Sequence, residues 1–193
     1  MKGQRILIVD GHPDPDRARF VHALADRYAE GALAWEHEVR RIDLATTDIP
    51  VLRSKREWSN GQPAPAIVDA QASIAWADHI VFLYPLWLGD VPALLKAFLE
   101  QVMRPGFAVD EHGQLGGGLL RGKSATIIVT MGMPAAFYSL WFRAHSLKSL
   151  ERNILKFVGI GPVHHILFGA VEQSAKKRER WLEDMLVLGS GGG

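Results

Sequence analysis

The chain has 193 residues, 48% of them hydrophobic, enough for one globular domain with a sizeable core. Its 22 basic and 21 acidic residues leave a formal net charge of +1, which gives no electrostatic reason to expect nucleic acid as a partner. There is no cysteine, so disulfides, thiol nucleophiles and iron–sulfur clusters are excluded, and a reducing compartment, the cytoplasm, is the expected location.

From the N-terminus, Ile6-Leu7-Ile8-Val9 is an apolar run too short for a signal-peptide core and reads as a buried first strand. Phe20, Val21, Leu24, Ala25 and Tyr28 recur at near-helical spacing, which predicts a helix from about Asp16 to Ala32. Glu38 to Leu44 alternates as a shorter, edge-like strand. The connection from Ala45 to Pro65 carries Pro50, Gly61 and Pro63 and is long for a compact domain, so it is expected to cover a site or form an interface. Ala66 to Ala77 predicts the second helix. His79-Ile80-Val81-Phe82-Leu83-Tyr84 is a continuous β-branched and aromatic run, the pattern of a central parallel strand. Pro85 ends it, Gly89 permits an unusual backbone angle, and Pro92 suits the first turn of a helix to about Met103, which Pro105 and Gly106 stop.

Phe107 to Gly122 is an excursion whose Gly116-Gly117-Gly118 lacks the lysine spacing of a nucleotide phosphate loop and reads as a flexible turn. Ser124 to Thr130 is the fourth strand, Tyr138 to Phe157 a helix, Val163 to Val171 the fifth strand, and Gln173 to Leu188 a closing amphipathic helix. Residues 1–188 form the domain and 189–193 a flexible Gly/Ser tail. No apolar run approaches the ~20 residues of a membrane helix. Strands alternating with helices predict an α/β three-layer sandwich, and right-handed crossovers give a five-stranded parallel sheet in the order 2-1-3-4-5, the flavodoxin-like arrangement.

In such a sheet a ligand sits beyond the carboxyl ends of the strands, where the order reverses between strands one and three. The loop from Asp10 to Phe20 leads into a helix whose free N–H groups favour phosphate, with His12, Arg17 and Arg19 as candidate donors. Pro85-Leu86-Trp87-Leu88 offers an apolar, aromatic shelf, and Thr130-Met131-Gly132 offers backbone amides. This is the combination that an isoalloxazine ring with a phosphate tail requires. His164 and His165 point to opposite faces of a strand with no third ligand evident, so packing roles and no metal site are expected.

Taken together, Pro85-Leu86-Trp87, Val91-Pro92-Ala93-Leu94-Leu95-Lys96 and Phe107-Ala108 form a pattern with Gly11-His12-Pro13 and with Thr130-Met131-Gly132 ahead of Phe137-Tyr138-Ser139-Leu140. It resembles the flavodoxin-like NAD(P)H dehydrogenase (quinone) family, which includes DT-diaphorase and the ancillary oxidoreductases of glutathione-gated potassium efflux systems. The resemblance implies a two-electron flavoenzyme with tightly bound FAD or FMN, reduced by NAD(P)H and reoxidised by a quinone-like acceptor in ping-pong exchange. It further implies flavin contacts from Pro85, Leu86, Trp87 and Leu88 and from Thr130, Met131 and Gly132, and proton or charge handling by Tyr138 and His145. The spacing of Tyr138 and His145 departs from the family pattern by about one residue. The phosphate loop departs too, with Ala18 where relatives commonly carry a hydroxyl and Val21 where they carry asparagine.

A homodimer is also implied, for which the Trp58 connection and the apolar Phe137 to Phe142 cluster are candidate surfaces. Azo dyes and nitroaromatics are alternative acceptors, and a regulatory flavoprotein subunit of a membrane transporter is the alternative function. A one-electron carrier fits less well, since the chain is not strongly acidic.

Overall fold

The computed structural model describes residues 3–110 and 118–192, so Gly116 and Gly117 lie outside the described residues. Strands β1 (Arg5–Asp10), β2 (Glu38–Asp43), β3 (His79–Pro85), β4 (Ser124–Met131) and β5 (Val163–Gly169) form one sheet in the order β2-β1-β3-β4-β5. All pairings are parallel, as the sequence predicts. The helices are α1 (Phe20–Ala34), α2 (Lys55–Asn60), α3 (Pro65–Trp76), α4 (Ala93–Val102), α5 (Ala135–Leu140), α6 (His145–Ser149) and α7 (Ala175–Gly191), with a π-helical turn at Leu150–Leu155.

Strand alternation divides the core in two. Ile6 and Ile8 join Val81, Leu83 and Ile128 beneath α1 and α7, whereas Leu7 and Val9 join Phe82 and Ile127 beneath α3 and α4. Every residue of β3 is buried, which is why its sequence shows no polar alternation. At the sheet's edge, His164 and His165 of β5 are both exposed, so neither has the packing role expected of it.

Four boundaries differ from expectation, and each has a local cause. Helix α1 begins at Phe20 because the carboxylates of Asp14 and Asp16 accept from the N–H groups of Asp16 and Ala18 at 2.9 and 3.0 Å, closing turns that compete with helix. The helix expected from Tyr138 to Phe157 is broken, since Arg143 and Ala144 take left-handed φ values of 51° and 48°. No glycine or proline announces that break. Within the long connection, α2 is capped by the Ser54 hydroxyl, which accepts from Glu57 N–H at 3.1 Å. The connection is pinned to α4 by Gln101, which donates to the Pro50 carbonyl at 2.7 Å, and to the segment just after α4 by the buried Arg104, which donates to the Gly61 carbonyl at 2.8 Å. Trp58 is therefore partly buried against the core rather than exposed. Finally, α7 runs through Gly191, into the segment read as a tail, and packs Gly189 against α1.

At the opposite end of the sheet from the strands' carboxyl ends, His79 is 1% exposed and its Nδ1 lies 2.7 Å from Ser124 Oγ. Burial, helped by the neighbouring His164, pushes its pKa down from 6.5 to about 4. Between those values the unfolded chain binds the proton and the folded chain does not, so stability falls as pH falls. The stabilisation is complete above pH 6.5, and losing it on acidification below 4 amounts to about 3 kcal/mol. Urea midpoints measured from pH 7.5 to 4 are expected to decline more steeply for the wild type than for His79→Gln; equal slopes would contradict this role.

Candidate active site

The carboxyl ends of β1, β3 and β4 open onto a cavity of about 800 Å3. His12, Arg19, Phe20 and Val21 line it from the first loop, Pro85, Leu86 and Trp87 from the second, and Thr130, Met131 and Gly132 from the third. Val171, Glu172 and Arg178 close one side. The sheet brings these loops together because β1, β3 and β4 are adjacent and in parallel register.

A hydrogen bond from Leu86 N–H to the Thr130 carbonyl, 2.8 Å, ties the second loop to the third. Trp87 and Asp90 exchange backbone bonds of 3.0 and 2.9 Å around Leu88 and Gly89, whose φ values of 49° and 79° suit a two-residue turn needing two positive angles. The turn directs Leu88 into solvent, and Leu88 is not among the residues lining the cavity. It holds Trp87 half-exposed at the wall, edge-on to His12 with ring centres 5.9 Å apart. The amides of Leu86 and Trp87 are thus already spent inside the protein. Among the described residues, those of Leu88 and Gly132 have no acceptor.

On the first loop, His12 is 7% exposed, and its Nδ1 accepts from Asp14 N–H at 3.1 Å. Burial, then the neighbouring His22, holds its pKa below the usual imidazole value. The ring is neutral at pH 7 with its proton on Nε2, a donor without charge. Beside it, the N–H groups of Phe20 and Val21 open α1 and have no carbonyl within the helix to receive them.

The two arginines behave differently from expectation. Arg17 does not line the cavity; it bonds Asp26 at 2.8 Å and Asp43 at 3.2 Å. Arg19 does line it, but is held by Asp14 at 2.8 Å and Asp16 at 3.5 Å. Neither is an unpaired cation. Tyr138 is 1% exposed, its hydroxyl 2.7 Å from Ser146 Oγ and accepting from Leu147 N–H at 3.2 Å, which pins α5 to α6. His145 is exposed, and neither residue lines the cavity.

Sequence reasoning missed a buried network behind the first loop. Asp10 at the end of β1 meets His22 of α1 at 2.6 Å and Arg41 of β2 at 2.5 Å. Asp10, His22 and Asp43 have the composition of a metal site, but guanidinium groups of Arg41 and Arg17 already occupy the two carboxylates, so the cluster is an ion-pair network. Its signal was a histidine among the buried positions of an amphipathic helix, opposite an aspartate at a strand end.

Residues 4–187 match the family model described as flavodoxin-like fold, and the chain belongs to that family. A Streptococcus mutans UA159 protein, Smu.1420, has the same fold, with a TM-score of 0.82 and 26% identity over 97% of this chain and 99% of that one. The ribosyldihydronicotinamide dehydrogenase [quinone] of Pongo abelii is 41% identical over 72% of this chain and 68% of its own length. An FMN-dependent NADH:quinone oxidoreductase 3 of Bacillus cereus is 26% identical over 91% of both chains. Within the flavodoxin-like proteins, this chain is a member of the NAD(P)H quinone dehydrogenase family. It spans about two thirds of the length of some curated relatives, 65% in the case of a Penicillium crustosum homologue.

Among the described residues no helix is long and apolar enough to cross a membrane.

Proposed function

We propose that the protein is a flavin-dependent NAD(P)H:quinone oxidoreductase whose flavin lies in the cavity over β1, β3 and β4. The observation that carries this is the pairing, in one cavity, of a helix N-terminus and a neutral histidine donor with an aromatic wall. The names of the relatives from Pongo abelii and Bacillus cereus support it. The N–H groups of Phe20 and Val21, with His12 Nε2, would hold the phosphate of FMN or FAD, and Gly132 N–H would meet the ring. When bound, such a flavin supplies the hydride acceptor and donor that link NAD(P)H to a quinone.

The chain's own residues do the positioning. Trp87 walls off one side of the ring position, and the Leu86 to Thr130 hydrogen bond fixes the spacing between the two loops beside it. On the other side of Trp87 lies an apolar cavity of about 440 Å3, lined by Leu88, Val91, Leu150 and Ile154, a surface suited to a planar acceptor or to a second subunit. Phe137, Leu140, Trp141 and Phe142, 41–79% exposed, form the apolar face that would make a homodimer. Sedimentation velocity is expected to give a dimer, and substituting Trp141 by Glu to shift it toward monomer; an unchanged dimer would move the interface elsewhere. The cytoplasm, where NAD(P)H is available, is the compartment this reading implies.

Steady-state assays with NADH or NADPH and a soluble quinone test the activity. Parallel double-reciprocal lines are expected, since donor and acceptor visit one position in turn. Negligible quinone turnover by flavin-loaded protein, with co-purification of a membrane partner, would instead favour a regulatory role.

A further inference from the structure

His22 stands in the first turn of α1, 0% exposed, and does not line the cavity. Its Nδ1 is 2.6 Å from Asp10 Oδ2 and its Nε2 is 2.9 Å from the backbone carbonyl oxygen of Asp14. A carbonyl oxygen only accepts hydrogen bonds, and so does an ionised carboxylate. Arg41 donates to the same Asp10 oxygen at 2.5 Å, which identifies that oxygen as an acceptor. A neutral imidazole has one N–H and one lone pair, so it would set a lone pair against one of the two oxygens. Both contacts are bonds only if both nitrogens carry protons.

The local charge balance agrees. Asp10, Asp26 and Asp43 are joined through Arg41 and Arg17, leaving three carboxylates against two guanidinium groups. An imidazolium at His22 brings this network to neutrality and, at its buried end, sets a cation directly against the Asp10 carboxylate, both groups 0% exposed, whereas Arg17 and Asp26 at the other end are half-exposed. Nearby, the neutral His12 ring centre is 5.3 Å away, and the carboxylates of Asp14 and Asp16 share the single guanidinium of Arg19, which leaves these surroundings anionic and favours a cation at His22.

We infer that His22 is a positioning residue that, as a standing imidazolium, shapes and charges the first loop from behind and so sets its affinity for the anionic end of the flavin. The inference rests on the flavin reading above. The loop's own side chains at Ala18 and Val21 offer no donor, and its arginines are held by carboxylates. The cation at His22 lies one ring away from His12, which lines the cavity, and its bond to Asp14 fixes the loop that carries His12.

Two measurements test this. Nitrogen-15 NMR of the imidazoles in flavin-free wild type at pH 7 is expected to show two ring N–H groups on His22 and one on His12; a single N–H on His22 would overturn the inference. Fluorescence-quenching titrations with FMN and with riboflavin, which lacks the phosphate, compare wild type and His22→Gln, with circular dichroism as a check on folding. The variant is expected to lose about tenfold in FMN affinity, with little change for riboflavin. Equal loss for both ligands would overturn it. If the variant does not fold, the NMR result on wild type decides. If wild type binds neither ligand, the flavin reading fails while the His22 assignment is still judged by its N–H groups.

Discussion

Replacing Gly31 by alanine is expected to destabilise the protein by about 2 kcal/mol, and by valine more, although alanine favours an exposed helix by about 1 kcal/mol. A Cβ at Gly31 would stand 2.0 Å from the carbonyl oxygen of Leu186 and 2.8 Å from its carbonyl carbon. Those atoms belong to the α7 backbone, so no side-chain rotation relieves the clash and the two helices must separate. Reciprocally, a Cβ at Gly189 would stand 2.2 Å from the Tyr28 carbonyl oxygen, which places a close approach on both helices. Separation would loosen Tyr28, Ala32 and Met185, each no more than 1% exposed. Urea unfolding of Gly31→Ala measures the net effect. A variant as stable as wild type, or more so, would show that propensity outweighs packing here.

The second large effect concerns Ala18. It is exposed, lines the cavity and precedes the start of α1 by two residues, so a side chain added there would meet the proposed ligand without disturbing the core. Ala18→Asp would set a carboxylate against the flavin phosphate at the helix N-terminus. Repulsion between close like charges there is expected to weaken FMN binding by about 100-fold, or about 2.7 kcal/mol, while leaving riboflavin binding and thermal stability near wild type. Ala18→Ser is expected to act in the opposite direction by a few-fold through one added hydrogen bond. Equal FMN affinity in the aspartate variant would remove the phosphate from this loop.

Much of the architecture could be read in the sequence because its signals are local and repeated. The unbroken apolar run of β3 and the proline after it define a central strand and its end, and the alternation of strands with helices leaves few sheet orders open. The lining of the cavity by Pro85, Leu86, Trp87, Thr130, Met131 and Gly132 follows from that order, since adjacent parallel strands deliver their loops to one edge. Ion pairing was not legible, because each partner lies far away in sequence: Arg17 pairs with Asp43 across 26 positions and Arg41 with Asp10 across 31. Charges expected to face a ligand therefore face carboxylates. Nor was the break at Arg143 and Ala144 legible, for its backbone angles fall on residues that carry no such preference. The reach of Tyr138 depended on that helix, and its hydroxyl is engaged by Ser146 and Leu147 instead.

The central claim is that the cavity over β1, β3 and β4 holds a flavin. Titration of flavin-free protein with FMN and, separately, with FAD, followed by flavin fluorescence and visible absorption, tests it most directly. One equivalent of at least one of the two is expected to bind, with quenched fluorescence, competition from inorganic phosphate for the tail, and a Trp87→Ala variant altering the absorption band. Failure of both flavins to bind folded protein, or binding indifferent to both phosphate and Trp87, would contradict the account.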